Sequence, residues 1–255
     1  MNSFIRQLQA DVVNDSLHEL GELVFGCYPV GSRQTLTLTY AAGTTEYGLV
    51  INGDDGTNHF ENSGGTSLGR SINSAQPNSV WRTDGTYNLC VKNKYDFELA
   101  YLPGVIGNIG VFKFCSKLKE IQMQGKQSNG ALEDISDVIP NLRQLRISYT
   151  KITGNTSLFS SCEGFYQLHA EGVEGLTGNI TGFGSSPFLQ VLNIPGTRIS
   201  GELTDLAEMQ KNIKDPSRLT TTITCNGIIT LNGSVVANGT VKTITYNGSG
   251  GYTIS

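Results

Sequence analysis

The sequence predicts a β-rich chain arranged around a solenoid of five short repeats, and three observations support this class. The chain is rich in turn-forming residues, including 31 glycines, while only 16% of its 255 residues are charged. Several stretches alternate apolar and polar residues, as half-buried strands do. One glycine recurs at a near-constant interval, at Gly107, Gly130, Gly154, Gly178 and Gly201. The residues that fill exposed helices are too scarce for a helical bundle.

Residues 1–24 predict an N-terminal helix, because apolar residues recur there at helical spacing. Its candidate anchor residues are Phe4, Ile5, Leu8 and Val12. Two interpretations stay open. Either the helix packs on its own domain, or it anchors the chain to a partner or to its own copies.

Residues 25–96 predict a small antiparallel β domain. Residues 35–40 (TLTLTY) alternate cleanly, as a strand with one buried face does. Asp84-Gly85 predicts a hairpin between residues 79–82 and 87–91. Residues 61–78, which are rich in Ser, Gly and Asn, predict a loop.

Residues 97–210 contain the internal repeat, with five units spaced 23 or 24 residues apart. Each unit places apolar residues at matching positions, which predicts that they face one continuous core. The inward set is Leu118, Ile121, Met123, Leu142, Leu145, Ile147, Phe165, Leu168, Ala170, Leu189, Leu192 and Ile194. Cys115 and Cys162 share another inward column with Val138 and Met209, so they are expected to be packing residues.

These units resemble the leucine-rich repeat family, in its plant-type and bacterial form, whose unit is 20–29 residues long. Residues 142–154 (LRQLRISYTKITG) and 189–201 (LQVLNIPGTRISG) carry the resemblance. They depart from the family at one place, where Thr150 and Thr197 replace the asparagine that ties successive units together. The resemblance implies a parallel sheet along one side of a solenoid.

Residues 211–255 predict a C-terminal β-hairpin cap. Asn-Gly occurs four times there, beginning at Asn226, Asn232, Asn238 and Asn247, between alternating stretches. Such a cap would cover the apolar end of the repeat core.

The repeat register predicts which residues line the concave sheet face that leucine-rich repeats use for binding. The candidate binding residues are Gln122, Gln144, Arg146, Gln167, His169, Glu171 and Asn193. The face has few aromatic residues, whereas binding hot spots are enriched in Trp, Tyr and Arg. A solvated sheet face without a ligand is therefore the alternative interpretation.

No sequence pattern indicates an enzyme, a metal site or a cofactor. The three histidines lie far apart, no Cys-x-x-Cys occurs among the five cysteines, and phosphate-loop and nucleophile-elbow motifs are missing. The net charge of −4 and the lack of a basic run argue against nucleic acid as a partner. No apolar stretch is long enough to predict a membrane span.

The combination of low charge, β-rich ends, no export signal and an anchor-like N-terminus also resembles the head fibres and other virion appendages of phages that infect gut Bacteroides. This resemblance implies a structural and recognition protein, made in the host cytoplasm and assembled into a virion. Its expected partners are capsid or other virion proteins, its own copies in a dimer or trimer, and a host surface protein or glycan. The alternatives are a bacterial cell-surface or secreted leucine-rich repeat adhesin, and an enzyme on a repeat scaffold.

Overall fold

The computed structural model describes residues 24–26, 34–40, 48–51, 59–62, 67–70, 85–91, 97–101, 105–113, 115–126 and 128–255. The anchor residues Phe4, Ile5, Leu8 and Val12 lie outside the described residues, as does the predicted helix up to residue 23. Val24, the last residue of that predicted helix, begins a strand instead, since its backbone pairs antiparallel with Thr37.

The described residues form short strands throughout. In chain order these are β1 (Val24–Gly26), β2 (Gln34–Tyr40), β3 (Gly48–Ile51), β4 (His59–Asn62), β5 (Ser67–Arg70), β6 (Gly85–Val91), β7 (Phe97–Tyr101), β8 (Val105–Asn108), β9 (Glu120–Gln122), β10 (Ser128–Ala131), β11 (Gln144–Arg146), β12 (Lys151–Asn155), β13 (Gln167–His169), β14 (Leu176–Asn179), β15 (Val191–Asn193), β16 (Arg198–Ser200), β17 (Thr220–Thr224), β18 (Thr230–Leu231), β19 (Ser234–Val235), β20 (Val241–Tyr246) and β21 (Tyr252–Ile254).

Helical segments connect the strands of the repeat. Short 3-10 helices span Ile109–Phe112, Leu132–Ile135, Ile139–Asn141, Thr156–Ser161 and Ile180–Phe183, and one α-helix, α1, spans Leu203–Gln210. No helix in the described part of the chain has the length and apolar character needed to cross a membrane.

Two large sheets organise these strands. The first sheet has the order β21-β20-β17-β15-β13-β11-β9-β7-β3, and its strands from β7 to β17 pair in parallel. The second sheet has the order β16-β14-β12-β10-β8-β2-β6-β4-β5, and its strands from β8 to β16 pair in parallel. Each repeat unit therefore gives one strand to each sheet, and antiparallel strands continue both sheets beyond the repeat.

The core lies between the two parallel ladders and follows the predicted register. All twelve residues of the inward set are buried: Leu118, Ile121, Met123, Leu142, Leu145, Ile147, Phe165, Leu168, Ala170, Leu189, Leu192 and Ile194. Phe159, Phe165 and Phe183 pack together, with ring centroids 4.9 to 5.8 Å apart. One unit cannot bury its apolar side alone, so burial comes from stacking on its neighbours.

This architecture confirms a β-rich chain and is compatible with a leucine-rich-repeat-like fold. The specific five-unit solenoid is not confirmed. The parallel strands do not form a separate body, because antiparallel strands from the flanking segments continue the same two sheets. The second parallel ladder also differs from the single sheet that the sequence predicted.

Four of the recurring glycines, Gly107, Gly130, Gly154 and Gly178, lie in strands of the second sheet, and Gly201 directly follows β16. Gly178, for example, belongs to β14 and has a φ of +105°. A Cβ there would lie 2.6 Å from Oδ1 of Asn155 in the preceding unit. The position therefore requires glycine for two reasons, its left-handed backbone and the close stacking of the unit beneath it.

The last unit departs from the predicted inward column. Met209 is 49% exposed, whereas Gln210 beside it is fully buried. The physical reason is that this unit returns through α1, whose 3.6-residue period buries Leu206, Ala207 and Gln210 instead. Cys115 and Cys162 are buried as predicted, and burial raises the pKa of the Cys162 thiol to about 12.

The segment before the repeat differs from the sequence prediction in one detail. Residues 61–78, predicted to be a loop, contain the end of β4 and all of β5, which pair with each other. Of the hairpin predicted at Asp84-Gly85, residues 79–84 lie outside the described residues, and Gly85 is the first residue of β6, which pairs antiparallel with β2 and β4.

The C-terminal segment begins as a continuation of the repeat sheet. β17 pairs in parallel with β15 and antiparallel with β20, so it joins the repeat sheet to the antiparallel strands of the C-terminal segment. The hairpins follow it: Asn232 and Gly233 both have positive φ and join β18 to β19, and a loop that begins with Asn247-Gly248 joins β20 to β21.

The asparagine link between units, which the sequence placed in doubt, occurs once after the repeat. Thr150 and Thr197 bond within their own unit, to the carbonyls of Ile147 and Ile194 at 2.7 and 2.8 Å. The buried Asn226 instead donates to the Ile199 carbonyl of the preceding unit at 2.6 Å and accepts from the Ile228 amide at 3.0 Å. The Asn-Gly pair at 226 is therefore a link between units and not a hairpin turn.

Candidate functional site

The predicted binding residues come together on the outward side of β9, β11, β13 and β15. The strand register places Gln122, Arg146, His169 and Asn193 in one row across the sheet. Gln144 and Gln167 lie in the neighbouring row, and Glu171 lies two residues beyond the end of β13. We call this surface, made of Gln122, Gln144, Arg146, Gln167, His169, Glu171 and Asn193, the polar face.

Arg146 lies at the centre of a side-chain hydrogen-bond network on the polar face. Its Nη2 donates to Gln167 Oε1 at 3.3 Å, towards the next unit. On its other side the guanidinium donates to the Gln144 side-chain oxygen, with Nη2 at 3.2 Å. One planar cation thus holds two amides of neighbouring strands in fixed orientations.

The orientation of the Gln144 amide extends this network to Tyr166. With the amide oxygen facing Arg146, the Gln144 nitrogen donates to Tyr166 Oη at 2.6 Å. The opposite orientation would place an amide donor against the guanidinium donors, so it is unfavourable. Tyr166 in turn hydrogen-bonds the Glu120 carboxylate, and burial together with the Glu120 charge raises the pKa of Tyr166.

Gln144 is covered by these contacts, since its exposed fraction is only 3%. The sequence placed it on an open surface, but Arg146 and Tyr166 bond to it from both sides. Gln144 therefore supports the polar face from within and presents little surface to a ligand.

His169 ends the network on the side of β13. Its Nε2 lies 2.5 Å from Gln167 Nε2, so the amide donates and the imidazole must accept as a neutral ring. Burial, and secondly the positive charge of Arg146, lower the pKa of His169. The neutral form that the hydrogen bond requires is therefore also the form that the surroundings favour.

Tyr149 borders the polar face where the strands end. In three units the third residue after the strand is a positive-φ glycine, Gly125, Gly172 or Gly196, but in one unit it is Tyr149, with a φ of +62°. Its side chain is 50% exposed and its ring lies against Gly172, where a Cβ would be 2.9 Å from Tyr149 Cδ1. A hydrogen bond to Glu171 raises the pKa of Tyr149. An exposed bulky residue in this conformation is unusual and points to a role at the surface.

The opposite border, where the strands begin, contains an open cavity of about 240 Å³ that we call the notch. It is lined by Arg143, Gly164, Tyr166, Phe188 and Arg218. The Arg218 guanidinium lies 5.7 Å from the Tyr166 ring centroid and 6.0 Å from that of Phe188, and it donates to Gln190 Oε1 at 3.0 Å. The notch thus combines two guanidinium groups with two aromatic rings.

Sequence reasoning missed the residues of both borders for different reasons. Tyr149 carried a readable signal, because it is an aromatic residue in a column of glycines. Tyr166 and Arg143 share a column just before the strand, which was not counted as part of the face. Arg218 lies beyond the repeat, so only the path of the chain after α1 brings it to the notch.

The described residues contain no group of three or more His, Cys, Asp or Glu side chains that could hold a metal ion. The polar face has a single imidazole and no nucleophile beside a base within its hydrogen-bond network. What its arrangement offers is a set of oriented amide and guanidinium donors between two aromatic borders.

Comparisons with known proteins return little. No protein-family model and no curated protein matches the sequence. Among solved structures, the chain is similar to the leucine-rich repeat ectodomain of the receptor kinase SOBIR1 from Arabidopsis thaliana, with 19% identity over 80% of this chain and 84% of that chain and a TM-score of 0.38.

Proposed function

We propose that this chain is a non-enzymatic recognition protein that binds a macromolecule on a cell surface through the polar face. The observation that carries the proposal is the network centred on Arg146. It fixes donors and acceptors of two neighbouring strands, β11 and β13, before any ligand arrives. Such preorganisation reduces the entropy that binding would otherwise lose.

The face also leaves groups free to bind. The side-chain amides of Gln122 and Asn193 have no hydrogen-bond partner among the described residues, and both are partly exposed. They are the two ends of the row whose middle members are Arg146 and His169, so a ligand lying across the strands would contact fixed and free groups in turn. Tyr149 adds an exposed aromatic ring at the border.

A pair of matched substitutions tests the recognition role. Asn193→Tyr adds a ring to the polar face, whereas Asn129→Tyr adds the same ring to the exposed side of β10 in the second sheet. We expect Asn193→Tyr to weaken saturable binding of the purified chain to envelopes of the source bacterium, or of the host of a source phage, by about tenfold. Asn129→Tyr should bind like the wild type. Equal effects of the two substitutions would contradict the proposal.

Within this role we place the chain in a bacteriophage virion, as a head fibre or tail-associated appendage that docks by its N-terminus. The support is the low charge and the anchor-like pattern at Phe4, Ile5, Leu8 and Val12. A bacterial surface adhesin is the alternative, supported by the resemblance of residues 142–154 and 189–201 to bacterial leucine-rich repeats. Mass spectrometry separates the two, since the first requires the chain in purified particles and the second in the cell envelope.

The anchor can be tested by removing residues 1–22. We expect the shortened chain to keep its melting temperature and its ligand binding, but to lose association with its parent particle and with its own copies, as measured by co-sedimentation and light scattering. A shortened chain that unfolds or aggregates would show that the segment is part of the core, and the anchor would be excluded.

A further inference from the structure

The notch has a shape that one residue creates. At the position of Gly164 in the repeat, the neighbouring units carry Asn141 and Phe188, so the absence of a side chain opens the surface between them. The φ of Gly164 is not in the left-handed region, and a Cβ there would contact only Arg143 Cγ, at 3.8 Å. Neither backbone conformation nor close packing requires glycine at this place, so what Gly164 provides is the space.

The residues that line the notch include two arginines and no carboxylate, and the Glu120 carboxylate contacts only the Tyr166 hydroxyl among them. The Arg143 guanidinium is exposed and has no hydrogen bond or ion pair with any of the described residues. Arg218 is held in place by the two rings and by Gln190. Its charge lowers the pKa of Asp215, but this carboxylate accepts a hydrogen bond from Ser217 and does not line the notch. Two guanidinium groups facing a cavity without a carboxylate favour an oxyanion.

The size of the notch and its aromatic rings further restrict which ligands could bind there. A cavity of about 240 Å³ is smaller than sites that enclose a whole small-molecule ligand, so it would hold one ring or one group of a longer ligand. The 37%-exposed Phe188 ring offers an apolar surface to the flat side of such a ring. Tyr166 connects the notch to the polar face, whose amides can bond hydroxyl groups along an extended ligand.

We propose that the notch is a subsite for the acidic sugar of an anionic glycan, which places a carboxylate or sulfate between Arg143 and Arg218 and extends its neighbouring sugars across the polar face. This inference deepens the proposed recognition role and rests on it. It assigns the ligand class, an acidic polysaccharide, and the residues that select it over a neutral one.

The test compares oligosaccharides of the same linkage that differ only at C6 of each sugar, which carries a carboxylate in one and a neutral hydroxymethyl group in the other. Isothermal titration of the full chain with oligogalacturonate should show binding at least about tenfold tighter than with the neutral oligogalactoside of the same length, because each charge-assisted hydrogen bond is strong. A sulfated oligosaccharide, such as a chondroitin sulfate fragment, tells whether a sulfate ester serves as well as a carboxylate. Equal binding of the acidic and neutral probes, or no binding of any acidic probe, would overturn the proposal.

Variants then locate the binding. Arg143→Gln removes the unpartnered guanidinium and Gly164→Leu fills the cavity, and each should weaken oligogalacturonate binding by about tenfold. Arg198→Gln removes the same charge from the exposed side of β16 and is the matched control, which should bind like the wild type. If Gly164→Leu does not fold, Arg143→Gln still decides, since that side chain lies at the surface. Wild-type affinity in Arg143→Gln would overturn the proposal.

The experiments can exclude the acidic-sugar subsite in the notch and the recognition role of the polar face independently of each other. If Asn193→Tyr abolishes envelope binding while every acidic probe is ignored, the polar face is a recognition surface and the notch is not an acidic-sugar subsite. If the acidic probe binds and depends on Arg143 while Asn193→Tyr has no effect on envelope binding, the notch is supported and the polar face is excluded as the recognition surface.

Discussion

The outward side chains of the two parallel sheets form different kinds of hydrogen bond, although each repeat unit supplies one strand to each sheet. In the first sheet, long side chains bond to one another across strands, as Arg146 does with Gln144 and Gln167. In the second sheet, short hydroxyl side chains bond to the backbone of the preceding unit, as Thr177 does with the Gly154 carbonyl at 3.3 Å and Ser200 with that of Gly178 at 3.3 Å.

The difference follows from the space that each sheet leaves. In the second sheet the recurring glycine lets adjacent units approach closely, so a short hydroxyl side chain reaches a backbone carbonyl in the strand of the preceding unit. In the first sheet the outward residues have room for long side chains, which can be exchanged without changing the stacking. The second sheet therefore fixes how the units stack, whereas the first sheet can carry different outward side chains.

The shared core beneath both sheets should show the largest effect. Leu145, which is fully buried, should lose about 2–5 kcal/mol of unfolding free energy on substitution by alanine, because its removal leaves a cavity. Urea denaturation measures this loss. Val235→Ala, at a side chain that is 66% exposed, is the control and should change stability by less than about 0.5 kcal/mol. A comparably small loss at Leu145 would show that the inward register is wrong.

The second sheet should show the next largest effect. Gly178→Ala places a Cβ in a left-handed conformation and 2.6 Å from Asn155 Oδ1, so we expect a loss of about 1–3 kcal/mol in the free energy of unfolding. Gly164→Ala, where the φ is ordinary and the nearest atom is 3.8 Å away, should stay within about 0.5 kcal/mol of the wild type. Similar losses of unfolding free energy in the two variants would contradict the view that close stacking in the second sheet requires glycine.

A substitution at Tyr149 tests whether the backbone at this border of the first sheet is strained by holding an exposed aromatic side chain at positive φ. Tyr149→Gly should stabilise the chain by about 1 kcal/mol in thermal or urea unfolding, since glycine adopts the φ of +62° without the clash of a Cβ. Asn232→Gly, at a φ of +51°, should gain less than half as much, because asparagine tolerates this conformation. If Tyr149→Gly destabilises the chain, the ring is a packing residue.

The smallest effect should be a pH dependence that belongs to the first sheet. Because the pKa of His169 is lowered in the folded chain, the unfolded chain binds the proton more strongly. Stability should therefore rise with pH from that lowered pKa up to about 6.5, the unfolded value, and lose this contribution as the pH falls through the same window. His169→Gln should flatten this part of the profile relative to the wild type, as measured by urea unfolding at several pH values. An unchanged slope would mean that His169 is not held neutral by its surroundings.

The periodicity of the sequence determined which residues are inside. Leu145, Phe165 and Leu192 could be assigned to the core because a repeat of near-constant length puts equivalent residues at equivalent depths. The same register placed Gln122, Arg146, His169 and Asn193 in one row. It failed at Met209, where an eight-residue α-helix replaces the short 3-10 helices of the other units and changes which side chain points inward.

Contacts that join distant parts of the chain needed the tertiary structure. The covering of Gln144 by Tyr166, and the arrival of Arg218 from beyond α1 beside Arg143 and Gly164, depend on how units stack and where the chain goes after the repeat. Local spacing specifies the direction of a side chain from its own strand, but it does not specify which side chain of another unit will meet it. In this chain the spacing of residues is enough to predict the core and the polar face, whereas the hydrogen-bond network and the notch follow from how the units stack.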